Sequence, residues 1–107
     1  MKIEIAHPFA ATHEHMVPPG IMSKRHRHDW RWSVRLDGET HPVYGWVADF
    51  DEVRDRMAEC TAGHYEGTAE RILLGLVAAL APRLPPGVAL VWAQLEEAPG
   101  RAAVWEP

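Results

Sequence analysis

Histidines and apolar residues occupy every second position between residues 26 and 36. The even positions hold His26, His28, Trp30, Trp32, Val34 and Leu36. All five residues between them are charged or polar. Successive side chains of a β-strand point to opposite faces of a sheet, so the pattern predicts a long strand with one buried face. The same geometry places both histidines on that apolar face.

Shorter patterns predict the other elements. Ile3 and Ile5 alternate with charged residues and predict a first strand that ends near Pro8, followed by a loop as far as Gly20. Thr68 is the predicted N-cap of a helix that ends before Pro82. The remaining predictions are a strand around 47–50, a helix at about 52–59, and strands at 88–95 and 102–105. The order β, β, β, α, α, β, β favours an α+β fold with a mostly antiparallel sheet.

Length and charge limit the functional classes. A chain of 107 residues is typical of one domain, here 1–107. A formal net charge of -4 argues against a nucleic-acid partner. The basic run from Lys24 to His28 is either a solvated rim or a contact for a small anion. Cys60 is the single cysteine, so an internal disulfide is excluded. The sequence has no apolar run long enough for a membrane helix and no signal peptide, so we expect a cytoplasmic protein.

Four of the seven histidines cluster in sequence as His13, His15, His26 and His28. Two histidines at positions i and i+2 of a strand point the same way, and a third from a preceding loop can complete a three-nitrogen metal site. Such a site with one open position is typical of catalytic zinc. The alternative is that these are surface histidines whose spacing arose by chance.

Five segments resemble one enzyme family, in colinear order. Phe9–His13 looks like its F-x-A-A-H motif, and His26–Trp30 looks like its H-G-H-x-Y motif. Gly45–Phe50 is similar to G-M-V-x-D-F, and Thr68–Glu70 resembles the P-T-x-E that opens the second helix. Val91–Glu97 resembles the late strand that carries a pterin-binding glutamate. The chain thus resembles the 6-pyruvoyltetrahydropterin synthase and 6-carboxytetrahydropterin synthase family.

This resemblance implies a four-stranded antiparallel sheet with two helices on one face, the tunnelling fold or T-fold. It also implies a homo-oligomeric barrel, a trimer or a hexamer, with active sites between subunits. The family's zinc (Zn²⁺) ligands correspond to His13, His26 and His28. The implied activity is that of a carbon–oxygen lyase on a pterin-like small molecule, anchored by Glu97 or by Glu96, with His64 as the proton-transfer residue.

Departures from the family pattern leave an alternative open. The family's catalytic cysteine falls on or near Met22, and no aspartate precedes His64. Cys60 lies in another segment and is interpreted as a small buried residue. The alternative is therefore a non-catalytic or repurposed protein of specialised metabolism that binds a pterin or another metabolite on the same fold.

Overall fold

A computed structural model describes residues 1–107 as a five-stranded sheet with two helices and a small separate hairpin. The strands are β1 (Lys2–Glu14), β2 (Met16–Val17), β3 (Ile21–Met22), β4 (His26–Asp37), β5 (His64–Glu66), β6 (Ala89–Ala98) and β7 (Arg101–Trp105). The helices are α1 (Phe50–Cys60) and α2 (Ala69–Leu80), and a short 3-10 turn (Ala81–Arg83) follows α2. The large sheet has the strand order β5-β1-β4-β6-β7, and β2 pairs with β3 in the hairpin.

The long pairing of β1 with β4 determines which face of the sheet is buried. Ile5 lies opposite Val34, and Phe9 lies opposite Trp30, in one antiparallel register. Directly opposed residues share a face, so the odd positions of β1 and the even positions of β4 form one apolar surface. Trp30, Trp32 and Val34 are at most 1% exposed there.

The helices cover this face through short apolar stripes. Val53 and Met57 are the buried residues of α1, four positions apart. The buried residues of α2 are Ala69, Ile72, Leu73, Leu76, Val77 and Leu80. Asp49 caps α1 by accepting a hydrogen bond from the Asp51 N–H at 3.0 Å, and Thr68 caps α2 by accepting one from the Arg71 N–H at 3.3 Å. One core cluster therefore joins both helices to the sheet.

The predicted fold class is confirmed, with one addition to the sheet. Strands β1, β4, β6 and β7 are antiparallel, and both helices pack on one face. The three-residue strand β5 extends this sheet by pairing in parallel with Thr12–Glu14 of β1. Because β5 is so short, it has no apolar alternation that the sequence could reveal.

One predicted strand is absent, and one predicted boundary was wrong. Residues 47–50 form no strand: Val47 and Ala48 are buried within a loop, and Asp49 caps a helix that already begins at Phe50. Strand β1 continues past Pro8 to Glu14. A residue without an N–H is tolerated at Pro8 because β5 begins to pair with β1 only at Thr12, which leaves one edge of β1 free before that point.

Neither helix has the length and apolar character that crossing a membrane requires.

Candidate metal centre

Three histidines meet where β1 ends and β4 begins. His13 lies directly opposite His26, and Ala11 lies opposite His28, in the β1–β4 register. All three histidines occupy the face that is covered by the helices, beyond the apolar residues of the core. His13 therefore comes from a strand, and not from the loop that the sequence predicted for this segment.

The imidazole rings are close enough to share one ion. The ring centroid of His13 lies 4.3 Å from that of His26 and 5.1 Å from that of His28. One ligand atom from each histidine and one from Glu97 lie within 4.8 Å of one another. Three imidazole nitrogens and a carboxylate oxygen form a ligand set typical of zinc and similar divalent metals.

Backbone carbonyls fix the orientation of two of the rings. The Nδ1 of His13 lies 3.0 Å from the Gly67 carbonyl oxygen, and the Nδ1 of His26 lies 2.7 Å from the Lys24 carbonyl oxygen. A carbonyl oxygen only accepts, so both Nδ1 atoms carry the proton and donate. Each Nε2 then keeps its lone pair, which is the tautomer that binds a metal through Nε2.

Gly67 has the backbone geometry that this contact needs. Its φ angle is +115°, in a region that residues with a Cβ rarely adopt. Its N–H donates to the Glu14 carbonyl oxygen at 2.7 Å, while its own carbonyl oxygen accepts from His13. The residue thus connects the end of β5 to the end of β1 and holds the His13 ring.

Two buried nitrogen atoms indicate that the site is built for a ligand. The Nε2 atoms of His13 and His28 are inaccessible to solvent and have no hydrogen-bond partner. Glu97 Oε1 lies 2.9 Å from His28 Nε2, a close contact without hydrogen-bond alignment, and 3.9 Å from His13 Nε2. Buried polar atoms in proteins nearly always have a partner, so a metal ion at this point fits the residues present.

The pKa of His13 supports the same interpretation. Burial lowers this pKa below its ordinary value of 6.5, and the neighbouring His26 and His28 lower it further. The hydrogen bond to Gly67 and the Glu97 carboxylate oppose this shift without reversing it. His13 is therefore neutral at pH 7, as a metal-binding imidazole must be.

The two candidate anchoring glutamates lie on opposite faces of β6. Glu96 is paired with Arg31 on the face away from the helices. Glu97, one residue further, reaches the histidines on the helix side. The buried residues Ala93 and Leu95 lie on the helix side as well, so the alternation of β6 continues as far as Glu97, and the bulge between Glu96 and Ala98 does not change this face.

His64 lies away from the histidine cluster within one chain. It is paired with Thr12, whose side chain points to the face opposite His13, and the Thr12 hydroxyl lies 2.7 Å from His64 Nδ1. His64 Nε2 lies 3.5 Å from Glu14 Oε1. His64, Glu14 and Glu66 form a second group of potential metal ligands, on this outer face. This group was missed from the sequence because it depends on the parallel pairing of β5.

The residues that surround the cluster supply no thiol. Met22 lies in the β2–β3 hairpin and is 57% exposed. Cys60 lies at the end of α1, where its Sγ accepts a hydrogen bond from Arg83. The His15 ring centroid is 5.4 Å from that of His13, but His15 is outside the group of converging ligand atoms, and its Nδ1 contacts the Met16 carbonyl oxygen at 3.2 Å.

Comparison with known proteins decides the family. The sequence profile of 6-pyruvoyl tetrahydropterin synthase matches residues 2–107. The chain belongs to this family. The resemblance predicted from the five motifs is therefore confirmed over the whole chain. Among curated proteins, none matches the chain.

Solved structures share the fold of this family member. Caenorhabditis elegans 6-pyruvoyl tetrahydropterin synthase superposes with a TM-score of 0.72 at 16% identity, covering 100% of this chain and 96% of the worm chain. A catalytic-residue mutant of Plasmodium vivax 6-pyruvoyltetrahydropterin synthase gives 0.72 at 14% identity, with coverages of 100% and 98%. An uncharacterised protein from Wolinella succinogenes gives 0.68 at 15% identity, with coverages of 99% and 98%. At such identities these likenesses establish the fold alone.

Proposed function

We propose that the chain is a zinc-dependent carbon–oxygen lyase of the 6-pyruvoyltetrahydropterin synthase family that acts on a pterin-like small molecule. His13, His26 and His28 would hold the zinc. The observation that carries the proposal is the convergence of three imidazoles around buried, unpartnered Nε2 atoms. A zinc ion held there would polarise a substrate oxygen and stabilise charge that develops on it.

Glu97 is the proposed anchor of the pterin. A carboxylate can accept two N–H hydrogen bonds from the amino-pyrimidinone edge of a pterin, and such charge-assisted bonds are stronger than neutral ones. Glu97 lies on the histidine face and is only 22% exposed in its side chain. Glu96, on the opposite face, cannot serve the same pocket within one chain, and it provides a matched control.

The test compares Glu97→Gln with Glu96→Gln for zinc content and for calorimetric binding of 7,8-dihydroneopterin. Loss of hydrogen bonds to a charged group costs about 1.5–3 kcal/mol, so Glu97→Gln should weaken pterin binding by roughly 10-fold to 100-fold and retain zinc. Glu96→Gln should bind like wild type. Loss of zinc from Glu97→Gln would instead make this carboxylate a metal ligand, and equal effects of both variants would refute the assignment.

His64 is the proposed proton-transfer residue, acting at the metal site of a neighbouring subunit. Its place on the sheet face opposite His13 supports an active site built from more than one copy of the chain. A homo-oligomer, trimer or hexamer, follows from this proposal. Co-assembly of His64→Gln subunits with His13→Ala subunits should then restore turnover that neither variant shows alone, and mixtures without activity would contradict the shared site.

A non-catalytic protein that binds a pterin or another metabolite is the second candidate. The observation that favours it is the solvent-exposed thioether of Met22, which cannot take or give a proton, together with the remote position of Cys60. Each missing acid–base step removes about 100-fold to 10,000-fold in rate, so we expect turnover of 7,8-dihydroneopterin triphosphate well below about 1 per second with zinc bound. Pterin binding without any turnover would favour this candidate, whereas wild-type turnover at or above that rate would exclude it.

A further inference from the structure

A large cleft of the chain lies far from the histidines. It has a volume of about 900 Å³ and lies between the loop 38–49, the first turn of α1 and the segment 85–89. Asp37, at its edge, follows His28 by nine residues of β4, a distance of about 30 Å at roughly 3.3 Å per residue. The cleft is therefore separate from the metal centre of the same chain, and what it binds does not depend on the proposed function.

Three neighbouring aromatic rings, those of His41, Tyr44 and Trp46, form an aromatic wall along this cleft. The ring centroids of His41 and Tyr44 lie 4.6 Å apart, and those of Tyr44 and Trp46 lie 5.0 Å apart. Tyr44 is 65% exposed and Trp46 is 44% exposed, so these rings contribute little to the core. A contiguous patch of exposed aromatic side chains is typical of an interaction site.

The loop that carries the wall is fixed by its own hydrogen bonds. His41 N–H donates to the Trp46 carbonyl oxygen at 2.7 Å, and Gly45 N–H donates to the His41 carbonyl oxygen at 2.8 Å. His41 Nδ1 accepts from the N–H groups of Val43 and Tyr44 at 3.1 and 3.2 Å. The rings are therefore preorganised, which reduces the entropy lost on binding a ligand.

Four acidic residues line the same cleft as the aromatic wall. The acidic residues that line the cleft are Asp37, Glu39, Asp49 and Glu52. Asp37 is paired with the N-terminal ammonium at 3.5 Å, and Asp49 caps α1, whereas Glu39 and Glu52 make no ion pair. Apart from the N-terminal ammonium, which Asp37 neutralises, no ammonium or guanidinium group lines the cleft. An anionic ligand would therefore be repelled.

An organic cation fits these features better than a metal ion does. The four carboxylates form none of the clusters in which ligand atoms converge on one point. A cleft of this size matches a small molecule, and a cation over the face of Trp or Tyr is attracted by the ring electrons. We propose that this cleft binds a small organic cation that carries an alkylated ammonium or a guanidinium group.

Choline and its neutral isostere 3,3-dimethylbutan-1-ol test the proposal with the full-length protein. Choline should bind saturably and shift the indole N–H resonance of Trp46, identified by its loss in Trp46→Leu, while the neutral alcohol should bind at least about fivefold more weakly. Trp46→Leu and the double variant Glu39→Gln/Glu52→Gln should each weaken choline binding by about fivefold to thirtyfold. The controls Leu74→Ala and Glu70→Gln change exposed residues of α2 and should bind choline like wild type.

Three results would overturn the proposal. Equal affinity for choline and the neutral alcohol would show that charge is not recognised. Unchanged choline binding in both cleft variants would place the cation elsewhere. A loss of oligomer mass confined to Trp46→Leu would show that a second copy of the chain covers the aromatic wall. Because Glu39 and Glu52 are exposed, their double variant tests the charge even if Trp46→Leu fails to fold.

Discussion

Replacing Trp30 or Trp32 by phenylalanine should distinguish a residue that supports the proposed metal centre from one that only packs in the core. Both indoles lie on the same face of β4 and are at most 1% exposed. The Nε1–H of Trp30 donates to the Ala11 carbonyl oxygen at 3.1 Å, whereas the Nε1–H of Trp32 is buried without a partner. Only the Trp30 ring lies against the rings of the proposed metal ligands, with its centroid 4.9 Å from that of His13 and 5.2 Å from that of His28.

The two substitutions remove similar side-chain volumes, but they change the hydrogen-bond contribution to stability in opposite directions. A residual cavity of ~40 Å³ costs about 1 kcal/mol in each variant at roughly 24 cal/mol per Å³. Trp30→Phe also loses one buried hydrogen bond, for a total of about 2 kcal/mol. Trp32→Phe removes an unsatisfied donor and recovers about 1–3 kcal/mol, so it should be near neutral or stabilising. The expected difference in the free energy of unfolding is about 2–4 kcal/mol.

Urea denaturation of both metal-free variants at equal protein concentration measures this difference. In a domain of this size it corresponds to a difference in Tm of at least about 8 °C. Zinc affinity, measured by competition with a chelator, should fall about tenfold in Trp30→Phe and stay unchanged in Trp32→Phe. Equal stabilities of the two variants, or a less stable Trp32→Phe, would refute the reasoning.

Three further outcomes are expected. Burial, together with the positive charge of Arg54, lowers the pKa of His7 below 6.5, so this histidine binds a proton more readily in the unfolded chain. In urea denaturation, wild type should therefore lose more stability than His7→Gln as the pH falls from about 7.5 to 5.5. Parallel stability curves for the two proteins would contradict this cause. Thr68→Ala should cost about 1 kcal/mol of unfolding free energy by removing the cap of α2, whereas Thr68→Ser should retain most of it; equal losses would show that the cap contributes nothing. Light scattering should give a multiple of the 12.0 kDa chain mass, because β7 leaves an open sheet edge and Val104 is 56% exposed. A monomer would contradict the proposed shared active site.

Much of the histidine site could be predicted because strand geometry is local. The i, i+2 spacing of His26 and His28 places both rings on one face of any β-strand that contains them, independently of the strand's pairing partners. The position of His13 depends on the register of β1 against β4, which joins residues far apart in sequence, and only the family resemblance indicated it. The carbonyl of Gly67 that orients His13 has no side-chain signal at all.

Other features of the structure could not be predicted from the sequence pattern, for different physical reasons. The short parallel strand β5 decides on which face His64 lies. Residues 47–50 have the apolar character of a strand, but the N-cap at Asp49 starts a helix there. In each case a long-range pairing or a local capping contact outweighs the pattern of side chains.

The metal content of two triple variants tests the central claim most directly. His13→Ala/His26→Ala/His28→Ala removes the three ligands, and His15→Gln/His41→Gln/His64→Gln removes the same number of histidines, including the one in the outer-face group. After purification with zinc and dialysis, elemental analysis should give one zinc per chain for wild type and for the second variant, and none for the first. Stoichiometric zinc in the first variant, or its loss from the second, would contradict the assignment of the metal to His13, His26 and His28.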